Sequence, residues 1–197
     1  MKKISFCLLS LVVGVVCSCG EAGIQSDISQ IVDVDPISVS IDIPPLLIGQ
    51  TIDVTPPTTV NTGAINITSD EFAEYSDELQ RFTINQIYYT LSGIDAGNEA
   101  DLDIDMNIIL NGGSSIPMLS TVIVDAQTQT AQVLLYDKAN SGSVNAVAIS
   151  GIESALLNGT SFVLEMNIVG RNVRFQSSSD QFQFQFKFDV TARVQLD

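Results

Sequence analysis

The sequence predicts an all-β protein, an antiparallel β-sandwich of about eight to ten strands with two short helices. Three observations support this prediction. Apolar and polar residues alternate with a period of two along most of the chain, and turn-forming residues separate the alternating runs. After the amino-terminal leader, the long apolar runs that are typical of buried parallel strands are missing.

The first predicted strands follow Asp35-Pro36, where the residue before proline favours an extended backbone. The early alternating runs lie at 37–43, 52–54 and 60–67. Pro44-Pro45 and Pro56-Pro57 separate these runs, and proline cannot donate a hydrogen bond to a ladder. We therefore place both proline pairs at strand ends, bends or sheet edges.

The later strands are predicted by stronger alternation. They lie at 87–91, 102–108, 116–124, 132–136 and 162–168. Asn111-Gly112 predicts a hairpin turn between two of them, because both residues accept a positive φ. The last strand is the clearest, with one face formed by Phe182, Phe184, Phe186, Phe188, Val190, Ala192, Val194 and Leu196. This pattern predicts one buried and one wet face.

Two capping boxes predict the short helices. Thr68-Ser69-Asp70-Glu71 opens the first, which we expect to continue to about Phe82. Ser150-Gly151-Ile152-Glu153 opens the second, which continues through Leu157 and ends at Asn158-Gly159.

Composition restricts the function. The chain has 197 residues and a formal net charge of −15, which repels phosphate backbones and argues against nucleic acid as a partner. There is no His, which removes Ser–His and Cys–His catalysis and His-ligated zinc. We therefore expect no enzyme, and we assign no catalytic, cofactor-binding or metal-binding residue.

The amino terminus indicates export. Met1-Lys2-Lys3 is a short cationic segment, and the 13 residues from Ile4 to Val16 are uncharged and apolar. A membrane-spanning helix needs about 20 apolar residues, so this run suits a signal peptide instead.

The next residues, Val16-Cys17-Ser18-Cys19, resemble the lipobox of bacterial lipoproteins. The resemblance implies cleavage after Ser18, acylation of the Cys19 thiol and amino terminus, and a membrane partner held through that lipid. Gly20 after the cysteine favours the outer membrane by the same resemblance. We divide the chain into a signal peptide (1–18), a lipidated cysteine and tether (19–35), and a β-sandwich domain (36–197).

Two side-chain patterns in the sandwich suggest alternative roles. Asp101, Asp103 and Asp105 share the polar face of one strand, and calcium prefers such oxygen ligands. However, side chains two positions apart lie about 6.8 Å from each other along a strand, too far for all three to hold one ion unaided. The Phe182–Phe188 stripe is either the core or the wall of an apolar cavity.

We therefore expect a lipid-anchored cell-envelope protein with a non-enzymatic binding or assembly role and a protein or glycan partner. The first alternative is a carrier of an apolar ligand in a cavity behind the Phe stripe. The second is a glycoside hydrolase that uses two carboxylates, about 5–10 Å apart in a cleft.

Overall fold

The computed structural model describes residues 24–66, Phe72, Tyr75 and residues 77–196. Within these residues, ten strands form two antiparallel sheets of five strands each, which confirms the predicted β-sandwich. The strands are β1 (Ile24–Asp33), β2 (Ile37–Asp42), β3 (Ile52–Val54), β4 (Thr58–Asn61), β5 (Leu79–Ser92), β6 (Glu99–Leu110), β7 (Ser115–Ile123), β8 (Val133–Asp137), β9 (Phe162–Arg174) and β10 (Ser179–Leu196). Helix α1 spans Ala146–Leu157, and short 3₁₀ turns lie at Pro45–Leu47 and Ala126–Thr128.

Each sheet is organised around one long strand. The first sheet has the order β1-β10-β5-β8, and β2 continues along the same side of β10 as β1. The second sheet has the order β3-β9-β6-β7, and β4 continues along β9 beside β3. Strands β10 and β9 are therefore each long enough to pair with two shorter strands in succession on one side.

The core lies between the two sheets and follows from the alternation in β10. The four Phe side chains of its inner face are at most 2 % exposed. Phe188 meets Phe162 of β9 with ring centroids 5.8 Å apart in an edge-to-face arrangement, so an aromatic contact joins the sheets. The inner residues of β6 (Leu102, Ile104, Met106 and Ile108) are at most 1 % exposed.

The predicted tether is shorter in the structure. Residues 24–33, which we assigned to the tether, form β1 and pair with β10 from Ile24↔Leu196 to Asp33↔Lys187. The sequence did not reveal this strand, because its side chains are exposed or half-buried and show no clear apolar face. Main-chain pairing with the long neighbouring strand, together with packing of Ile28 and Val32 against the core, holds it in the sheet.

The predicted strand at 60–67 also needs correction. Strand β4 ends at Asn61, and Ile65 makes only an isolated bridge with Phe162. Gly63 has a φ of +69°, and its N–H donates to the side chain of Asn61 at 3.0 Å. This local turn interrupts the strand.

The two predicted helices have different outcomes. Helix α1 begins earlier than predicted, because the Asn145 side chain caps it by accepting from the Val147 N–H at 2.9 Å. Ser150 therefore lies inside the helix, whose end at Asn158-Gly159 agrees with the prediction. The first capping box, 68–71, lies outside the described residues. Residues 79–82, its predicted last turn, belong to β5 instead.

Truncation of the Phe stripe should destabilise the whole fold. Phe186→Ala should lower the free energy of unfolding by about 3–5 kcal/mol, because the side chain is fully buried. Gln183→Ala changes an exposed residue of the same strand and should alter it by less than about 0.5 kcal/mol. Urea denaturation measures both values, and equal costs would contradict the assignment of the stripe to the core.

Candidate binding site on the outer face of the first sheet

Two irregularities in the pairing of β5 with β10 shape the outer face of the first sheet. The register shifts between Asp189 and Val190 and again between Arg193 and Val194. In each case β5 carries one extra residue, Asn85 at the first and Gln80 at the second. Such bulges re-aim side chains and increase the local twist. Residues 81–84 are thus a short regular segment with a bulge at each end.

Two rows of polar residues cross the sheet at this segment. Asp27 of β1 lies opposite Arg193 of β10, which lies opposite Arg81 of β5. In the next row of the same face, Ser29 lies opposite Thr191, which lies opposite Thr83. All residues of these rows except Ser29 line a pocket of about 270 Å³, which we call the outer pocket. Its lining residues are Asp27, Arg81, Thr83, Asn85, Lys138, Thr191 and Arg193.

One ion pair organises one side of the outer pocket. Arg193 donates from Nε to Oδ1 of Asp27 at 2.8 Å and from Nη2 to Oδ2 at 3.0 Å. This two-point contact lowers the pKa of Asp27, and the charges of Arg193 and Arg81 lower it further against the opposing effect of burial. Both side chains of the pair are about half exposed, 45 % for Arg193 and 50 % for Asp27, so solvent weakens the interaction.

The same row places two guanidinium groups directly opposite each other. Like charges in that position destabilise a sheet, and here Arg81 and Arg193 share the single carboxylate of Asp27. The ion pairs in the described part of the chain involve Arg171, Arg174, Lys187 and Arg193. Neither Arg81 nor Lys138 has an ion-pair partner among the described residues. The outer pocket thus carries uncompensated positive charge in a strongly acidic protein.

The neutral groups of the outer pocket are only partly engaged. Asn85 donates from Nδ2 to Asp189 Oδ1 at 3.0 Å and to Thr191 Oγ1 at 2.8 Å. Thr191 also shares a hydrogen bond of 2.8 Å with Ser29. Thr83 is only 8 % exposed, yet its hydroxyl has no hydrogen-bond partner among the described residues. Among the described residues no buried side-chain nitrogen or oxygen lacks a hydrogen-bond partner, so the Thr83 hydroxyl is open to solvent in the outer pocket.

Two hydrogen bonds from neighbouring elements stabilise the backbone at the Asn85 bulge. The N–H of Ile84, beside the bulge, donates to Oε1 of Glu153 in α1 at 3.0 Å. The N–H of Lys138 donates to the carbonyl oxygen of Asn85 at 2.8 Å. Glu153, which we predicted to close a capping box, therefore holds strand β5 instead. A shallower depression of about 450 Å³ adjoins the outer pocket and shares Asn85 and Lys138 with it.

The aspartates of β6 do not converge on one point. Asp101 accepts from the N–H of Asp125 at 2.9 Å and from Asn172 Nδ2 at 2.7 Å, and these contacts lower its pKa. Asp103 is paired with Arg171, and Asp105 accepts from the Ser120 hydroxyl at 2.5 Å. Nowhere in the described ranges do three or more His, Cys, Asp or Glu side chains form a group that could hold a metal ion.

A buried polar cluster at Asp180 is satisfied internally. Asp180 is 2 % exposed and accepts from Asn98 Nδ2 at 2.9 Å and from the Asp95 N–H at 3.3 Å. The side-chain oxygen of Asn98 accepts from the Gln176 N–H at 2.8 Å. This network connects the loop before β6 to the start of β10, and we assign it a structural role.

Neither the apolar-ligand cavity nor the pair of carboxylates that the sequence suggested as alternatives lies in these two pockets. No residue of the Phe stripe lines the outer pocket or the depression beside it. The outer pocket contains a single carboxylate, Asp27, and the adjoining depression contains only Asp137. Cys19 lies outside the described residues. Arg81, Lys138 and Arg193 escaped prediction because only the pairing of β10 with β5, and of β5 with β8, brings them together.

The contact from Glu153 to the bulge can be tested by substitution. Glu153→Ala should lower the free energy of unfolding by about 1–3 kcal/mol, because it leaves the buried N–H of Ile84 without an acceptor. Glu153→Gln retains an acceptor oxygen and should cost clearly less. Urea denaturation compares the two variants, and equal losses would show that the negative charge matters rather than the hydrogen bond.

The ion pair of Asp27 should be visible in its titration. Because the folded-state pKa of Asp27 lies below its unfolded value, the stabilisation is present above the unfolded pKa and is lost as pH falls through the folded pKa. NMR titration of the side-chain carboxyl should give a midpoint below the usual aspartate value of about 3.9. Arg193→Gln should raise that midpoint more than Arg81→Gln does. An Asp27 midpoint unmoved by Arg193→Gln would refute the assignment.

Comparisons with known proteins give only distant structural likenesses. No protein-family model and no curated protein matches the chain. A chain of Desmodium yellow mottle tymovirus is similar over 96 % of this chain and 97 % of its own length, with a TM-score of 0.31 and 8 % identity. A chain of Mud crab tombus-like virus is similar over 100 % and 91 %, with a TM-score of 0.33 and 9 % identity. Structural similarity at this level does not indicate a shared function.

In the part of the chain that the structure describes, no helix is long and apolar enough to span a membrane.

Proposed function

We propose that the chain is a lipid-anchored cell-envelope protein with a non-enzymatic binding role, and that the outer pocket is its ligand site. The observation that carries the binding role is the combination, in one concave place, of cations without an ion-pair partner and a solvent-accessible hydroxyl that makes no hydrogen bond within the described residues. Arg81, Lys138 and Thr83 supply these groups. Structural polar residues usually satisfy one another, whereas a ligand site keeps donors and acceptors available.

Binding is favoured over catalysis by the types of residue in the outer pocket. The sequence contains no His, and the pocket's one carboxylate, Asp27, is engaged by Arg193. General acid–base catalysis needs a group that can gain or lose a proton near neutral pH. Asp27, whose pKa is lowered by its contact with Arg193, does not meet that requirement.

The anchor is supported by the lipobox-like segment ending at Cys19. Two or three acyl chains, at about 0.8 kcal/mol per buried CH₂, hold a protein stably on a bilayer, whereas one chain binds only marginally. Strand β1 begins at Ile24, five residues after Cys19. Five residues span at most about 18 Å, so the anchored domain would lie close to the membrane surface.

The short distance between the lipid and the domain also affects which partners could reach the outer pocket. The outer pocket includes Asp27, three residues into the first described strand. It would thus be presented near the headgroup region, where envelope proteins and glycans are the accessible ligands. With Gly20 after the cysteine, we place the protein at the outer membrane.

Cys19→Ser should abolish membrane attachment. The variant should stay unprocessed or be released as a soluble chain, since a hydroxyl does not accept the lipid in place of a thiol. Cys17→Ser is the matched control, because it changes the neighbouring cysteine two positions away and should leave acylation intact. Cell fractionation with and without detergent, together with mass spectrometry of the amino-terminal peptide, measures the outcome. A Cys19→Ser chain that matures normally and sediments with membranes would disprove the anchor.

A further inference from the structure

We propose that the outer pocket binds an acidic sugar, a single saccharide unit that carries a carboxylate or phosphate group beside free hydroxyls. This proposal rests on the binding role proposed above and specifies its class of ligand. It follows from three features of the outer pocket: its charge, its neutral hydrogen-bonding groups and its size.

The charge of the outer pocket calls for an anion. Arg81 and Arg193 lie opposite each other across neighbouring strands, and Asp27 is the one carboxylate in the lining. Lys138 adds a third cation to that lining. An oxyanion placed against Arg81 would relieve the repulsion between the guanidinium groups. Guanidinium binds both carboxylate and phosphate through two parallel hydrogen bonds. Over the rest of a chain with net charge −15, an anion meets mainly repulsion.

The neutral groups of the outer pocket, the Asn85 amide and the Thr83 hydroxyl, favour a ligand that also carries hydroxyl donors. The side-chain oxygen of Asn85 accepts no hydrogen bond from a described residue, since the contacts of this side chain with Asp189 and Thr191 both use Nδ2. The hydroxyl of Thr83 is also free among the described residues and lines the outer pocket. A bare carboxylate offers only acceptors and leaves an amide oxygen unsatisfied. A sugar hydroxyl can donate to Asn85 and exchange a hydrogen bond with Thr83.

The size and lining favour one saccharide unit held by charge. The outer pocket measures about 270 Å³, just under the range of about 300–1,000 Å³ that is usual for drug-sized ligands. None of its lining residues is aromatic, so there is no ring face on which a neutral sugar could stack. Recognition would therefore depend on the acidic group together with the hydroxyl contacts, and a neutral sugar would bind poorly.

Calorimetric titration of the full chain tests the proposal. The probes are glucuronate and glucose 6-phosphate, with glucose, acetate and inorganic phosphate as comparators. We expect at least one acidic sugar to bind about tenfold or more tightly than every comparator. Arg81→Gln should weaken that binding by about tenfold or more. Thr83→Val, which keeps the shape of the side chain and removes its hydroxyl, should weaken it several-fold.

Arg174→Gln is the matched control, because it removes the same charge from the second sheet, where Arg174 pairs with Glu99 at 3.6 Å. It should leave binding unchanged. Equal binding of inorganic phosphate, tighter binding of glucose, no binding of either acidic sugar, or equal losses from Arg174→Gln and Arg81→Gln would overturn the proposal. Fractionation of the Cys19→Ser chain tests the anchor separately. A negative sugar titration would therefore overturn the proposed ligand without affecting the proposed lipid anchor.

Discussion

The pleat of strand β10 is the constraint on which the rest of this protein depends. From Gln181 to Leu196 its residues alternate strictly between a polar and an apolar face. The apolar face supplies the Phe stripe that fills the space between the sheets, and the main chain pairs with β1 and β2 on one side and with β5 on the other. A slip of one residue in its register would turn every Phe toward water. The core and the sheet order therefore fix each other through this one strand.

The outer pocket arises where the regular pleat of the neighbouring strand fails. Bulges at Gln80 and Asn85 lie at the two ends of a short segment of β5. Between them, Arg81 lies beside Arg193 of β10, and Thr83 lies beside Thr191. Helix α1 braces this piece through Glu153, and the segment after β8 braces it through the N–H of Lys138. Local irregularity and a like-charge pair are costly features. Their coincidence in one concave place is the physical basis for treating it as a ligand site.

Sequence patterns predicted the parts of the fold in which the two faces of a strand differ in polarity. Strands β6, β9 and β10 satisfy this condition, and the hairpin at Asn111-Gly112 has the positive φ values that its residues favour. Strand β1 escaped prediction because main-chain pairing with β10 holds it, and its side chains give little contrast. The start of α1 was misplaced because Asn145 caps the helix before the Ser150 box can. The outer pocket was invisible because its residues, such as Asp27 and Arg193, meet only through long-range register.

We propose that the cations and hydroxyls between the two bulges form a ligand site. Backbone amide chemical shifts of the full chain during titration with glucuronate and glucose 6-phosphate test it most directly. We expect changes in these shifts for at least one of the two sugars, confined to residues near 27, 81–85, 138 and 191–193. Shifts that are absent with both, or that centre on the aspartate-rich face of β6, would contradict it.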